Sequence, residues 1–251
     1  MISIIIPVLH EKRRIRASLH NLARLREIGS AEVIVVDGGE GTTLKATGAL
    51  KRFFELRALL SPAGRARQMN AGAAASRGEI LLFLHADTRL PRDGLVAVER
   101  ALSRREAGAF DLRIETTNPV LKAISLAGSL RSRVSRIPYG DQAHFFRREA
   151  FFRIGGYPDL PLMEDVAIMT RAKHRGMAIA ILRKVARTSD RRWRREGILR
   201  RTLANDALIL AYRAGVSPAL LAGWYRSEPD GSAAFDGTES AQREARVARR
   251  S

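Results

Sequence analysis

Ser3-Ile-Ile-Ile-Pro-Val8 opens the chain with a run in which Ser3 is the one polar residue. Val33-Ile-Val-Val36 and Ile80-Leu-Leu-Phe-Leu84 share its character. Each run is short, rich in β-branched or large apolar side chains, and shows no alternation of apolar with polar residues. A strand with one wet face would alternate, so these three read as strands covered on both faces, as in a parallel sheet layered between helices. Between the first two, Ile15, Leu19, Leu22 and Ile28 recur at helical spacing with arginines between them, and Gly29 is the stop. That is a βαβ unit. A strand near Leu56 to Leu60 and a helix from Ala66 to Ser76, closed by Gly78, lead into the Ile80 strand. Residues 1–90 therefore form a nucleotide-binding type of α/β half.

The pattern loosens beyond residue 90. Strands are predicted at Ala109 to Ile114, Ala143 to Phe146 and Ala178 to Leu182, and helices at Val120 to Val134, Arg147 to Ile154 and Glu164 to Arg175. Gly155-Gly156 and Gly176 end the last two helices, and Gly155-Gly156-Tyr157 reads as a stop and turn rather than a phosphate loop. Ile198 to Tyr212 and Ser217 to Tyr225 carry apolar residues every three or four positions. Such amphipathic helices pack on a domain or lie on a membrane, and packing is the expectation, since any surface helix is amphipathic. The organisation is thus one α/β domain over residues 1–226, with halves at 1–90 and 91–195 and C-terminal helices at 196–226. The Gly-, Ser-, Asp- and Arg-rich residues 227–251 are expected to lack a fixed fold.

Composition narrows the chemistry. A chain of 251 residues with 45% hydrophobic and 28% charged residues has material for one ordinary core. No run approaches the ~20 apolar residues needed to span a bilayer, and the first strand is too short for a signal peptide, which predicts a cytoplasmic protein. With no cysteine, disulfides and thiolate catalysis are excluded, and any metal needs oxygen or imidazole ligands. The net charge of +18 attracts polyanions: nucleic acid, an anionic membrane or a phosphorylated small molecule.

Ligands of open α/β sheets bind at the carboxyl ends of the strands. Three polar clusters stand there: His10-Glu11, Asp37-Gly38-Gly39 and His85-Ala86-Asp87-Thr88. Turns favour Asp and Gly for backbone reasons, so each alone says little. Together they bring three carboxylates to one sheet edge. Glu11 and Asp37 can accept hydrogen bonds from a base imide or ribose hydroxyl, and Asp87 can ligate Mg2+ or Mn2+, which take oxygen ligands and share their coordination with phosphates. His20, His144 and His174 have no ligand-like spacing.

Ile4-Ile-Ile-Pro-Val-Leu-His-Glu11, Val33-Ile-Val-Val-Asp-Gly-Gly39, Gly64-Arg-Ala-Arg-Gln-Met-Asn-Ala-Gly72 and Phe83-Leu-His-Ala-Asp-Thr88 resemble, in order and spacing, the successive signatures of family 2 glycosyltransferases. Gly140-Asp-Gln-Ala-His-Phe-Phe-Arg147, Ile154-Gly-Gly-Tyr157 and Met163-Glu-Asp-Val166 continue the likeness, which covers residues 1–195. Within that family the run from Gly64 through Pro91 most resembles the radical-SAM/selenodomain-associated transferase 2 branch, linked by name to arsenosugar biosynthesis.

The resemblance implies a GT-A fold, a Rossmann-like, mixed but mostly parallel sheet flanked by helices. It implies a donor site of Pro7, Glu11, Asp37, Gly38, Arg67 and Asn70, with Asp87 as the metal-binding Asp of a DXD-type motif whose first acidic position is here His85. Asp165 of the Glu164-Asp165 pair would be the general base, which a poorly nucleophilic acceptor hydroxyl requires. Acids at a helix start also suit the dipole without any catalysis. Asp141, Gln142 and Glu164 would stand on the acceptor side. Arg191-Arg-Trp193 resembles the end of a QxxRW motif with Ser189 in place of Gln. Arg192 would pair with the diphosphate and Trp193 would form an acceptor platform, or both would cover the edge of the core.

The implied activity is inverting transfer of a sugar from a nucleotide-diphosphate sugar to a small-molecule or lipid acceptor, with peripheral contact to an anionic membrane. Two alternatives stand beside it. Nucleotidyl transfer uses related sheets but wants a Gly-rich loop after the first strand, and Pro7 to Arg14 has no glycine. A basic module for nucleic acid or anionic lipid agrees with the charge, although aromatics at 6% are few for stacking on bases.

Overall fold

The computed structural model describes residues 1–39, 41 and 53–227, with Lys12, Arg13, Arg192, Arg226 and Ser227 described as backbone alone. The expectation for the tail therefore falls outside the described residues, apart from Ser227, the last residue of the C-terminal helix. The N-terminal half runs β1 (Ile2–Val8), α1 (Lys12–Leu22), β2 (Ala31–Asp37), β3 (Glu55–Leu60), α2 (Arg65–Ala75) and β4 (Ile80–Phe83). Every residue of β1 and β2 is buried. Their side chains serve two cores: Ile4 and Ile6 pack with Ile15 and Leu19 of α1, whereas Ile5 packs with Met69 and Ala73 of α2. An unbroken apolar run is what a strand with a core on each face needs, at about 1.5–3 kcal/mol for each large side chain buried.

The second half runs β5 (Thr88–Arg89), α3 (Gly94–Leu102), β6 (Ala107–Glu115), α4 (Pro119–Ser135), β7 (Phe145–Arg147), α5 (Arg148–Arg153), α6 (Glu164–His174), β8 (Ile179–Ser189), α7 (Arg191–Glu196), α8 (Ile198–Arg213) and α9 (Pro218–Ser227). The strands form one sheet in the order β3-β2-β1-β4-β7-β6-β8-β5. The first four are parallel, β7 is antiparallel to β4 and β6, β8 is parallel to β6, and β5 closes antiparallel to β8. The expected mixed, mostly parallel sheet is present.

Four local expectations change. The first helix ends at Leu22 rather than near Ile28, because Arg26 N–H bonds to Arg92 O at 2.8 Å and draws the chain off the helical path. Leu25 and Ile28 are buried all the same, the latter from a 3-10 turn at Ile28–Ser30. Ala143 is not in a strand but in left-handed backbone at φ 51°. The strand expected to stop at Leu182 continues to Ser189, since β6 resumes as a parallel partner at Val185 after a bulge that takes up Arg183 and Lys184, and backbone pairing is indifferent to the polar side chain of Arg187. α3, β5 and α7 lay outside the expected elements.

α4 solves an edge problem. β7 covers β6 only at Ala107 and Gly108, leaving the rest of that edge to be satisfied. Ser129 Oγ accepts from Leu112 N at 2.9 Å and donates to Leu112 O at 3.1 Å, and Ser125 Oγ accepts from Ile114 N at 2.9 Å. Serines therefore face the sheet. The helix starts on an Asn118 cap with Pro119 in the first turn.

Topology gathers the chemistry. The carboxyl ends of β1, β2, β4, β6 and β8 share one edge, and the start of antiparallel β7 lies at that edge too. The Gly140–Gln142 turn preceding β7 is thereby brought to the segment that follows β4.

Candidate active site

At the donor end, Asp37 is the last residue of β2, buried, and its Oδ1 accepts Gly39 N–H at 2.9 Å. Pro7 is buried within β1 opposite Val36. Glu11 sits at the start of α1, paired with Arg14 at 2.6 Å. A residue not singled out beforehand locks this corner: Gln68 of α2 donates to Val8 O at 2.7 Å and Val36 O at 2.8 Å. The two strand ends are pinned by one buried amide. Its fit explains Gly38, where a Cβ would stand 2.9 Å from the Gln68 side chain. A buried Gln on a helix following a strand end was the available signal.

Two expected donor residues have partners within the fold. Arg67 Nε is shared between both Asp159 oxygens at 2.9 Å on the surface. Asn70 makes two bonds with the Tyr157 backbone, donating to its carbonyl at 2.8 Å and accepting its N–H at 3.0 Å. Asn70 thus ties α2 to the turn after α5.

The other cluster forms where β4, the turn before β7 and α6 meet. Asp165 Oδ2 accepts Gly140 N–H at 2.7 Å and Oδ1 accepts Val166 N–H at 2.8 Å, so backbone donors orient the carboxylate. A Cβ on Gly140 would lie 3.1 Å from the His85 ring and 3.2 Å from Asp165 Oδ2. Glycine keeps that gap open between the His85 segment and Asp165. Asp141, in the same turn, has a buried Oδ1 with no hydrogen-bond partner among the described residues. Burial pushes its carboxyl up to about 6; the charges of Asp165 and Asp87 add to this, and Arg131 opposes it. Asp87, Asp141 and Asp165 are therefore one electrostatic group. The Asp87 carboxylate, half-buried, is hydrogen-bonded by none of the described residues.

Glu164 is different. It is buried and paired with Arg65 Nη1 at 3.2 Å, and its pKa is raised by burial against the pull of that guanidinium. Gln142 is likewise committed inward: it accepts from Ser132 Oγ at 2.6 Å and Tyr139 N at 3.1 Å, and donates to Phe110 O at 2.8 Å. Both side chains are thus buried and partnered within the fold.

Trp193 enters through the unexpected extension of β8. Pairing of Thr88 with Thr188 sets α7 beside the Asp87 segment. Trp193 is half-buried with its Nε1–H unpartnered among the described residues. Arg192 lies on α7, its side chain outside the described residues.

Backbone strain concentrates here. His10, Ala143 and Met163 have φ of 53°, 51° and 66°, and they adjoin Glu11, Gln142 and Glu164. Left-handed backbone at a non-glycine costs about 1–3 kcal/mol and persists where the surroundings enforce it, commonly at functional sites.

As for metal, the donors at Asp87 and Asp141 are hard carboxylate oxygens, one without a hydrogen bond and one with an orphaned buried atom. Among the described residues no three His, Asp or Glu side chains gather to cage an ion. That donor set fits a cation sharing its coordination with a diphosphate, as Mg2+ and Mn2+ do, and does not fit a closed structural site.

The family model described as glycosyl transferase family 2 matches residues 3–158. No curated protein matches the chain. Among solved structures, it is similar to the mannosyltransferase PcManGT from Pyrobaculum calidifontis in complex with GDP-Man and Mn2+, at 22% identity and TM-score 0.61 over 74% of this chain and 56% of that one. It is also similar to S. aureus TarS 1-349 in complex with UDP-GlcNAc, at 18% identity and TM-score 0.62 over 75% of this chain and 58% of that one. Against S. aureus TarS the shares are 75% and 36%, at 17% identity and TM-score 0.62. The chain thus spans from about a third to under two thirds of the length of these neighbours, and the likeness is one of fold.

Proposed function

The chain belongs to glycosyl transferase family 2, and from that membership we propose an inverting transfer of a sugar from a nucleotide-diphosphate sugar to an acceptor hydroxyl. The observation that carries the reading is the convergence of the His85 segment, the Gly140–Gln142 turn and the start of α6, which puts Asp87 and Asp141 within electrostatic reach of Asp165 at the carboxyl edge of the sheet. Neighbours bound to GDP-Man with Mn2+ and to UDP-GlcNAc support a nucleotide-sugar donor and a divalent cation. Nucleotidyl transfer has no support in that membership. The Gly64 to Pro91 run supports the radical-SAM/selenodomain-associated transferase 2 branch within the family.

In this reading Asp37 and Glu11 accept hydrogen bonds from the nucleoside. Asp87, with the donor diphosphate, would hold Mg2+ or Mn2+, whose charge would offset that on the leaving group. Asp165 takes the proton of the acceptor hydroxyl as it attacks the anomeric carbon, and two backbone N–H donors keep its carboxylate aimed. Direct displacement inverts that carbon. Arg65 and Glu164 hold the start of α6 in place, making them positioning residues. Asp141 offers its orphaned oxygen to a donor group on the acceptor, and Trp193 stands beside the Asp87 segment as a platform. Arg192 is proposed to meet the diphosphate.

Asp165→Asn tests this. General-base removal costs on the order of 100- to 10,000-fold in rate. Transfer should fall by that factor, measured with a panel of nucleotide-sugars and Mg2+ or Mn2+, while donor affinity by calorimetry stays unchanged. Full activity in the variant would remove Asp165 from the mechanism.

A further inference from the structure

α8 is apolar on two sides, and the fold covers one of them. Leu208, Ile209 and Tyr212 pack against Met163, Val166 and Leu221. On the other side Leu199, Leu203 and Leu210 are 72%, 58% and 64% exposed, with exposed Ala207 and the one acid of the helix, Asp206, between them. An apolar stripe on a helix is normally covered. α4 repeats the problem inverted. Its serines face β6 beside buried Leu121, so the residues of the opposite side point away: Leu126, Leu130 and Val134 are 69%, 58% and 78% exposed. The two helices are near one another, since Ile137 and Tyr139, just after α4, pack on the same Met163, Val166 and Leu221 cluster as Leu208, Ile209 and Tyr212 of α8. Both helices therefore lie beside the Gly140–Gln142 turn of the candidate active site.

We propose that these faces dock on a lipid bilayer bearing anionic headgroups. Charge selects that occupant. From Arg191 to Ser227 the sequence has eight arginines against Glu196 and Asp206, and α4 has three basic residues and no acid. Lys122 and Arg213 are exposed on these helices. Apolar stripes flanked by cations insert shallowly into the headgroup region, where hydrophobic area and attraction to anionic lipid add. A second copy of this chain would bring the same positive charge against itself. Nucleic acid would use the cations but leave the leucines wet. α8, 16 residues or about 24 Å long, lies flat in this arrangement rather than crossing, and among the described residues no helix is long and apolar enough to cross. The consequence for the reaction, an acceptor carried by lipid to Asp165, rests on the reading above.

The test is sedimentation of the full chain with vesicles of phosphatidylcholine alone and of an equal mixture of phosphatidylcholine and phosphatidylglycerol. Binding to the mixed vesicles only, weakened on the order of tenfold in the double variant Leu203→Glu/Leu210→Glu and again in Leu126→Glu/Leu130→Glu, is expected. Both pairs are exposed, and unchanged circular dichroism would show that the variants fold. No binding to mixed vesicles, equal binding to both vesicle types, binding unaffected by either double variant, or a dimer by light scattering that either variant splits would each overturn the proposal. Thermal shift with nucleotide-sugars, run on the same variants, reports the donor site separately, so that failure of docking and failure of the transferase reading are told apart.

Discussion

Replacing Asp141 with Asn should stabilise this protein above pH 6 while impairing it. In the folded chain, burial and the charges of Asp165 and Asp87 hold the Asp141 carboxyl up at about 6, whereas an unfolded Asp titrates near 3.8. The unfolded chain therefore releases this proton first as pH rises, and stability falls between those two values. Below 3.8 both states are protonated and there is no cost. Each tenfold displacement of a protonation equilibrium is about 1.4 kcal/mol, which puts the full cost near 3 kcal/mol, and partial solvent access to the residue trims it to about 2 kcal/mol. Asn carries no such charge. Guanidinium unfolding of both proteins from pH 4 to 8 should show the curves close together at the acid end and Asp141→Asn ahead by about 2 kcal/mol at pH 7.5. A difference that does not change with pH, or a variant less stable at pH 7.5, would refute the electrostatic argument. The transfer rate of the same variant should fall through a raised KM for acceptor, because a destabilising carboxylate with an orphaned oxygen is retained for what it binds.

Two further outcomes follow from named contacts. Gln68→Ala leaves Val8 O and Val36 O without their donor, which costs about 2–3 kcal/mol and lowers Tm by roughly 5–10 °C by calorimetry; an unchanged Tm would show that water replaces the amide. Asp87→Ala should fold normally and lose the Mn2+-dependent part of donor binding, by about tenfold or more in calorimetric titration, and retention of that metal dependence would place the cation elsewhere.

Legibility followed the burial of each segment. β1, β2 and β4 were readable because both their faces are covered, so packing demands apolar residues at every position. Thr88–Arg89 and the Val185–Ser189 part of β8 were not, because backbone pairing at that side of the sheet holds them whatever their side chains. The same distinction runs through the site. Asp37 and Asp87 follow readable strands and could be placed in advance. Asp141 could be named from the motif, but its tie to Asp87 depends on β7 running antiparallel to β4. Gln68, inside a quoted segment, was passed over because a buried amide bridging two carbonyls leaves no periodic trace.

The order of apolar runs and polar ends in the sequence was enough to determine a layered α/β fold and which acids stand after the parallel strands, since those features arise from contacts near in sequence and from the one-dimensional hydrophobic pattern, while the family came from the resemblance of its ordered motifs. Only the tertiary structure decided that Asp141 and Asp165 share an electrostatic environment with Asp87, that Glu164 and Gln142 are buried against partners within the fold, and that Leu126 and Leu130 of α4 face outward. Those outcomes depend on which strand edge is left unpaired and what comes to cover it, a long-range matter of pairing that local composition does not encode.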